Sequence, residues 1–303
     1  MRQSIEALRH HIDRHCKAGR VETVVPGLSL MRADAPTLPV SCVYQPTLCL
    51  IVQGSKQVVL GDRIFAYDAR NYLIATVDLP VTGGVTQATP DYPYLALSLA
   101  LDPSRIAALL LDVPAVLAET RPAAGLAVST VTDTLLDPVA RLVGLLDRPE
   151  DIPVLAPLFE QEILYRLLQG DQGGILRQVA RADSYLSHVR RAVAWIRDHY
   201  AEPFSIGDLA AQTGMSASSF HRHFKAVTMM SPLQYRTRIR LQEARRMLLA
   251  DGQDAAGIGF VVGYDSPSQF SREYRRMFGV PPARDAARLR RTDGEARGLA
   301  YPP

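Results

Sequence analysis

Two short stretches near the end of the chain carry polar and basic side chains at the spacing of a single helical face. In the first, Ser218, His221, Arg222 and Lys225 fall at i, i+3, i+4 and i+7; in the second, Ser268, Gln269, Arg272, Arg275 and Arg276 gather in the same way. Residues at such offsets lie on one side of an α-helix. The chemistry they offer is paired hydrogen bonding. A guanidinium can grip guanine O6 and N7 together, and a glutamine amide can do so for adenine N6 and N7. Ser218, His221, Arg222, Ser268, Gln269 and Arg272 are therefore the candidates for reading base edges. Lys225, Arg236, Arg238, Arg240, Arg275 and Arg276 suit phosphate oxygens, as do Arg245 and Arg246; such contacts position a protein without specifying a sequence.

The charge distribution agrees. The 303-residue chain has a formal net charge of +3, but residues 185–292 hold 17 Lys and Arg against 9 Asp and Glu, while residues 1–184 hold 16 against 20. A basic C-terminal third beside an acidic remainder is the asymmetry of a polyanion-binding module joined to a second domain. The length allows two cores. No run of 18 apolar residues occurs and no apolar stretch follows a basic start, so a cytoplasmic protein without a membrane partner is expected. Cys16, Cys42 and Cys49 lack metal-ligand spacing and suit a reducing compartment.

The elements that must hold the two polar faces come as a repeat. Residues 205–232 run Leu209-Ala210, Gly214-Met215, Phe220, Phe224, Ser231-Pro232; residues 254–282 run Ile258-Gly259, Gly263-Tyr264, Phe270, Tyr274, Pro281-Pro282. Each copy reads as a helix, a glycine turn and a second helix whose aromatics bury one face, which is a helix-turn-helix pattern. Gly214 is expected at positive φ. Ser205 with Asp208, and Ser231-Pro232-Leu233-Gln234, have the form of capped helix starts, and Ser266-Pro267-Ser268-Gln269 repeats the second. The helix between the copies runs to about Leu249, with Ile239, Ala244 and Leu248 facing inward.

The N-terminal part has a different texture. Ile5, Leu8 and Ile12 form one stripe of a short amphipathic helix. From Leu38 to about Leu101, short apolar runs (41–44, 48–52, 58–60, 72–77 and 94–99) alternate with turn residues, predicting an antiparallel sandwich or barrel with a hairpin at Gly61-Asp62. Gly83-Gly84 reads as a turn. Beyond Asp102-Pro103 the pattern turns helical; the Leu and Ile faces of 130–147 and 153–169 either pair two chains or pack onto their own sheet. Tyr44, Cys49, Gln53, Tyr72 and Tyr94 are candidates to line an effector pocket, although aromatic strand residues also fill cores. Cys42 and Cys49 are either small buried hydrophobes or a thiol sensor.

No histidine stands between residues 16 and 187, so the sheet domain lacks the imidazoles a metal site needs. Phosphate-cradling glycine loops are absent too. No catalytic residue, metal or cofactor is expected, and the chain is not read as an enzyme.

Gly214–Leu249 (GMSASSFHRHFKAVTMMSPLQYRTRIRLQEARRMLL) and Val262–Pro282 (VGYDSPSQFSREYRRMFGVPP) resemble the DNA-binding domain of the AraC/XylS family of bacterial transcription regulators. Residues 45–56, 78–81, 93–95 and 99–103 resemble the sensor region of one AraC subgroup. The resemblance implies an α+β protein: a cupin-like β-barrel with following helices, then an all-α domain with two helix-turn-helix motifs set in successive major grooves. It implies an N-terminal helix and arm (1–37), a sensor barrel (38–125), a helical segment for dimerisation (126–170), a linker (171–185), a DNA-binding domain (186–290, with units at 205–228 and 254–278) and a flexible tail (291–303). The implied partners are double-stranded DNA, a small-molecule effector, a second copy of the chain and RNA polymerase, with activation expected and repression left open. The alternative is a constitutive dimeric DNA-binding protein without a ligand.

Two departures from the family pattern stand out. Met229 occupies the place of a turn glycine, and the second unit's leading helix carries Gly257 and Gly259. Each helical glycine costs about 1 kcal/mol relative to alanine, so Gly259→Ala is expected to stabilise the domain. The first unit is expected to supply most of the rigid base reading, and the second, with its strongly capped reading helix, a more site-dependent share.

Overall fold

Alternation of apolar and turn residues builds ten strands among the described residues, which in this computed structural model are 2–112, 124–250 and 255–288. Contacts divide the chain into two units, residues 1–187 and 188–297. The expected tail at 291–303 lies outside the described residues.

The first unit opens with α1 (Arg2–His15), whose Leu8 and Ile12 are fully buried. Burying two such side chains contributes about 1.5–3 kcal/mol each. The strands follow: β1 (Gly19–Glu22), β2 (Leu28–Ala33), β3 (Val40–Tyr44), β4 (Thr47–Gln53), β5 (Ser55–Leu60), β6 (Arg63–Asp68), β7 (Asn71–Ala75), β8 (Leu79–Gln87), β9 (Tyr94–Ala100) and, after α2 (Pro103–Asp112), β10 (Leu126–Thr130). They form a six-stranded sheet, β1-β2-β9-β4-β7-β10, and a four-stranded sheet, β3-β8-β5-β6. Every pairing is antiparallel, and the hairpin at Gly61-Asp62 joins β5 to β6 with Leu60 opposite Arg63.

Several elements differ from expectation. The arm holds β1 and β2, both in the larger sheet. Gly83-Gly84 is not a turn but the middle of β8, where a β-carbon on Gly83 would come within 2.9 Å of the Gln57 carbonyl oxygen. The segment from 126 begins with β10 rather than helix, and Leu126 pairs with Ala75 of β7.

Helices α3 (Asp133–Gly144) and α4 (Ile152–Gln169) pack on each other, and α1 packs on α3. Their buried residues include Leu135, Val139, Leu142, Ile163 and Leu167, while Val154 and Leu158 of α4 are exposed. The expected linker is largely helix α5 (Gly173–Ala180), which buries Ile175, Leu176 and Val179 beside α2 and α4.

The second unit is helical: α6 (Tyr185–Asp198), α7 (Ile206–Gln212), α8 (Ala217–Thr228), α9 (Pro232–Ala250), α10 (Ala255–Val261) and α11 (Pro267–Phe278). The 19 residues of α9 make a rod of about 28 Å. Among the described residues no helix is long and apolar enough to cross a membrane.

Candidate nucleic-acid interface and ligand cavity

Each polar face is mounted on a small aromatic core. In the first helix-turn-helix copy the rings of Phe220 and Phe224 lie 5.4 Å apart, and Tyr235 of α9 meets Phe224 edge-on at 5.6 Å. In the second, Phe270 lies 5.4 Å from Tyr264 and 5.6 Å from Tyr274, in a cluster that takes in Leu241, Ala244 and Leu248 of α9. Aromatic pairs in these arrangements contribute about 0.5–1.5 kcal/mol beyond their buried area. The shared helix α9 thus feeds both cores.

The turns are as alike as the cores. Gly214 has φ +78° and Gly263 φ +92°. Met215 N–H donates to the Ala210 carbonyl at 2.9 Å, and Tyr264 N–H donates to the Gly259 carbonyl at 3.0 Å. Both bonds span five residues, the closing bond of a left-handed glycine cap. Gly263 has a second constraint, since a β-carbon there would collide with the Ala201 carbonyl.

The starts of the two outer helices differ. Ser216 Oγ accepts from Ser219 N–H on α8, whereas Ser266 makes no side-chain cap on α11. The cap expected at α9 does form: Ser231 N–H donates to Gln234 Oε1 at 2.9 Å and Gln234 N–H to Ser231 Oγ at 3.2 Å. Gln269 turns to Glu273, donating from Nε2 to Oε1 at 3.3 Å, and Glu273 also accepts from the Tyr264 hydroxyl at 2.8 Å. The sequence reading missed Glu273; its i+4 offset from Gln269 was the available signal.

Ser218, His221 and Arg222 on α8, and Ser268, Gln269 and Arg272 on α11, are all exposed, opposite the buried aromatics. Lys225, Arg275 and Arg276 are exposed beside them. The α9 arginines are placed differently. Arg240 donates from Nε to the Tyr200 carbonyl at 2.6 Å and from Nη2 to the Ala201 carbonyl at 3.0 Å, with its guanidinium over the Tyr264 ring. It ties the segment before α7 to α9, so its guanidinium is not left for a phosphate. Arg236 lies half-buried over Phe204, 4.9 Å from the ring centroid, and Arg238 is half-buried too. Arg245 pairs at 2.9 Å with Asp285, which also accepts from the Tyr274 hydroxyl at 2.8 Å. Arg246 pairs with Glu243.

Between the two sheets of the first unit lies a cavity of about 140 Å³. Tyr44, Cys49 and Tyr94 line it as expected of pocket residues, together with Cys42, Lys56 and Tyr67. Gln53 and Tyr72 do not. A bulge between Ile51 and Gln53 resets the alternation of β4, and Gln53 Nε2 donates to the Pro93 carbonyl at 2.8 Å. Tyr72 points to the other side of its sheet, where its hydroxyl meets Ser129. Burial pushes the Cys42 thiol up to about 11 and raises Cys49 as well. No group of three or more metal-binding side chains occurs among the described residues.

A sheet domain around a cavity, with paired helix-turn-helix units bearing basic outer faces, defines a class of protein built to lay two helices on DNA. The family described as AraC-type transcriptional regulator N-terminus matches residues 24–175, half of the chain, and a helix-turn-helix domain family matches residues 209–288. The chain belongs to the AraC family of transcriptional regulators. It is similar to the transcriptional activator RhaS of Salmonella paratyphi B, 29% identical over 154 residues that cover 50% of this chain and 54% of RhaS. The chain thus spans about half the length of the curated relatives it matches. Among solved structures, an apo ToxT variant of Vibrio cholerae superposes with a TM-score of 0.55 over 88% of this chain and 99% of ToxT, at 9% identity. ToxT bound to a methylnaphthalenyl-butenoic acid gives 0.54 over 89% and 99%, at 10% identity. At these identities the likeness is one of fold.

Proposed function

We propose that this protein is a sequence-specific DNA-binding transcription regulator that reads two successive major grooves with α8 and α11. The observation that carries the reading is the pair of exposed faces, Ser218/His221/Arg222 and Ser268/Gln269/Arg272, mounted behind matching glycine turns on one shared helix. Arg222 and Arg272 are the base readers, with Lys225, Arg275 and Arg276 on phosphates. The half-buried Arg236 and Arg238 contribute at the edge of the contact. The protein acts in the cytoplasm as a homodimer that engages RNA polymerase and activates transcription; no catalytic step belongs to it.

The cavity between the sheets supports control by a small-molecule effector over constitutive binding. ToxT, which shares the fold, has been solved with a small organic acid bound. The test is selection of bound sequences from random DNA by the full chain. The expected result is a two-part motif with elements about one helical turn, roughly 10 base pairs, apart. Affinity for it should fall steeply with salt as counterions are released. Enrichment of no sequence would overturn the reading.

A further inference from the structure

Three charged side chains line the cavity between the sheets, and two of them cancel. Arg20 Nε donates to Glu22 Oε1 at 2.8 Å, which leaves Lys56. Among the described residues Lys56 makes no carboxylate pair; its ammonium lies over the Tyr44 ring, 5.4 Å from the centroid. Nor do the other polar groups there supply a negative charge. Burial raises both thiols and the hydroxyls of Tyr44, Tyr67 and Tyr94, so all five stay neutral near pH 7. Cys42, Cys49 and Tyr94 all feel the Lys56 charge. The cavity therefore carries one positive charge that no carboxylate pairs among the described residues.

A second donor stands beside that charge. Tyr44, buried and lining the cavity, carries the ring over which the Lys56 ammonium lies. Its neutral hydroxyl has one O–H to donate. Around these donors Met31, Leu97 and Ala100 provide apolar surface, and Gly83 and Gly84 contribute bare backbone.

We propose that the cavity binds a small organic monoanion, a carboxylate on the order of ten non-hydrogen atoms, with its charge on Lys56 and one oxygen accepting from Tyr44. One ammonium and one hydroxyl match a single negative charge. A phosphate dianion would leave a charge unpaired there, which makes a carboxylate the better occupant. This inference rests on the effector reading above and names its ligand class.

The test is calorimetric titration of the full chain with short aliphatic acids and benzoate-type acids, each beside its matched amide and alcohol. At least one acid is expected to bind while its amide binds about tenfold or more weaker, because a charge-assisted hydrogen bond is lost. Lys56→Met should weaken that acid by a similar factor, Lys56→Arg should keep most of the affinity, and Tyr44→Phe should weaken it less. Amides or alcohols binding as well as the acids would overturn the anion assignment and leave the effector reading standing. So would an unchanged affinity in a folded Lys56→Met variant. If no acid, amide or alcohol binds, the anion assignment falls and the effector reading loses its support with it.

Discussion

Gly259 lies against the face of Phe270: a β-carbon added to the glycine would sit 3.0 Å from Phe270 Cδ1 and 3.1 Å from Cγ. Helix propensity alone favours alanine at this position, but the ring at the centre of the second aromatic core leaves little room for it. Gly257, two residues earlier on α10, has nothing within 4 Å of such a β-carbon and is exposed. Gly257→Ala should therefore stabilise the second unit by up to about 1 kcal/mol. Gly259→Ala should destabilise it by about 1–3 kcal/mol through overpacking. Chemical denaturation of the two variants decides the matter, and a more stable Gly259→Ala variant would show that Phe270 yields without cost.

Met229 ends α8 at φ 59°, the one positive-φ residue other than glycine among the described residues, whereas Gly279 ends α11 at φ 78°. A left-handed L-residue costs roughly 1–2 kcal/mol. Met229→Gly should recover about 1 kcal/mol in the melting of the helical unit, and Met229→Val should lose stability because a β-branched residue tolerates that conformation poorly. Equal stability in all three would mean that the turn relaxes around its side chain.

The helical unit was largely legible in the sequence because its signals are local. Aromatic spacing, turn glycines and the Ser231–Gln234 cap each act within a few residues, and the turn bonds of Met215 and Tyr264 follow from them. What escaped the sequence depends on partners far away along the chain. Strand β2 shows no alternation because most of it is buried, its pattern fixed by β1 and β9 on either side. Gly83 sits in mid-strand because the Gln57 carbonyl crowds it. Arg240 resembles a phosphate ligand until the carbonyls of Tyr200 and Ala201 arrive beneath it. Gln53 leaves the cavity through a one-residue bulge that no local pattern announces.

The docking of α1 should respond to pH. Asp147 accepts from His15 Nε2 at 2.8 Å and Arg14 at 3.1 Å, and His11 Nδ1 stands 2.9 Å from its other oxygen. The His15 hydrogen bond, then that of Arg14, holds Asp147 at about 2, while burial keeps His11 below 6.5 against the pull of Asp147. A histidine with a lowered folded-state value binds its proton more readily when unfolded, so its effect on stability is adverse as pH falls through about 6.5. The Asp147 contribution is present above about 3.8 and is lost only as pH falls towards 2. Melting of the first unit should drop between pH 7.5 and pH 5.5, and His11→Gln should reduce the drop. An identical drop in that variant would assign it elsewhere.

The cavity thiols should be slow nucleophiles. Only the thiolate reacts, and burial raises Cys42 to about 11 and Cys49 in the same direction. Alkylation of Cys42 in the native protein should keep accelerating about tenfold per pH unit through pH 9.5. A plateau below pH 9 would show an activated thiol and revive a sensing role for Cys42.

The central claim is that α8 and α11 each read bases, and the most direct measurement compares binding of Arg222→Ala and Arg272→Ala with the parent across single-base variants of a selected site at fixed salt. Each substitution should cost about 1–3 kcal/mol on the selected site and relax preference at its own position, the two positions lying about one helical turn apart. Uniform losses on every sequence, with base preference intact in both variants, would contradict the assignment of these two helices as the readers.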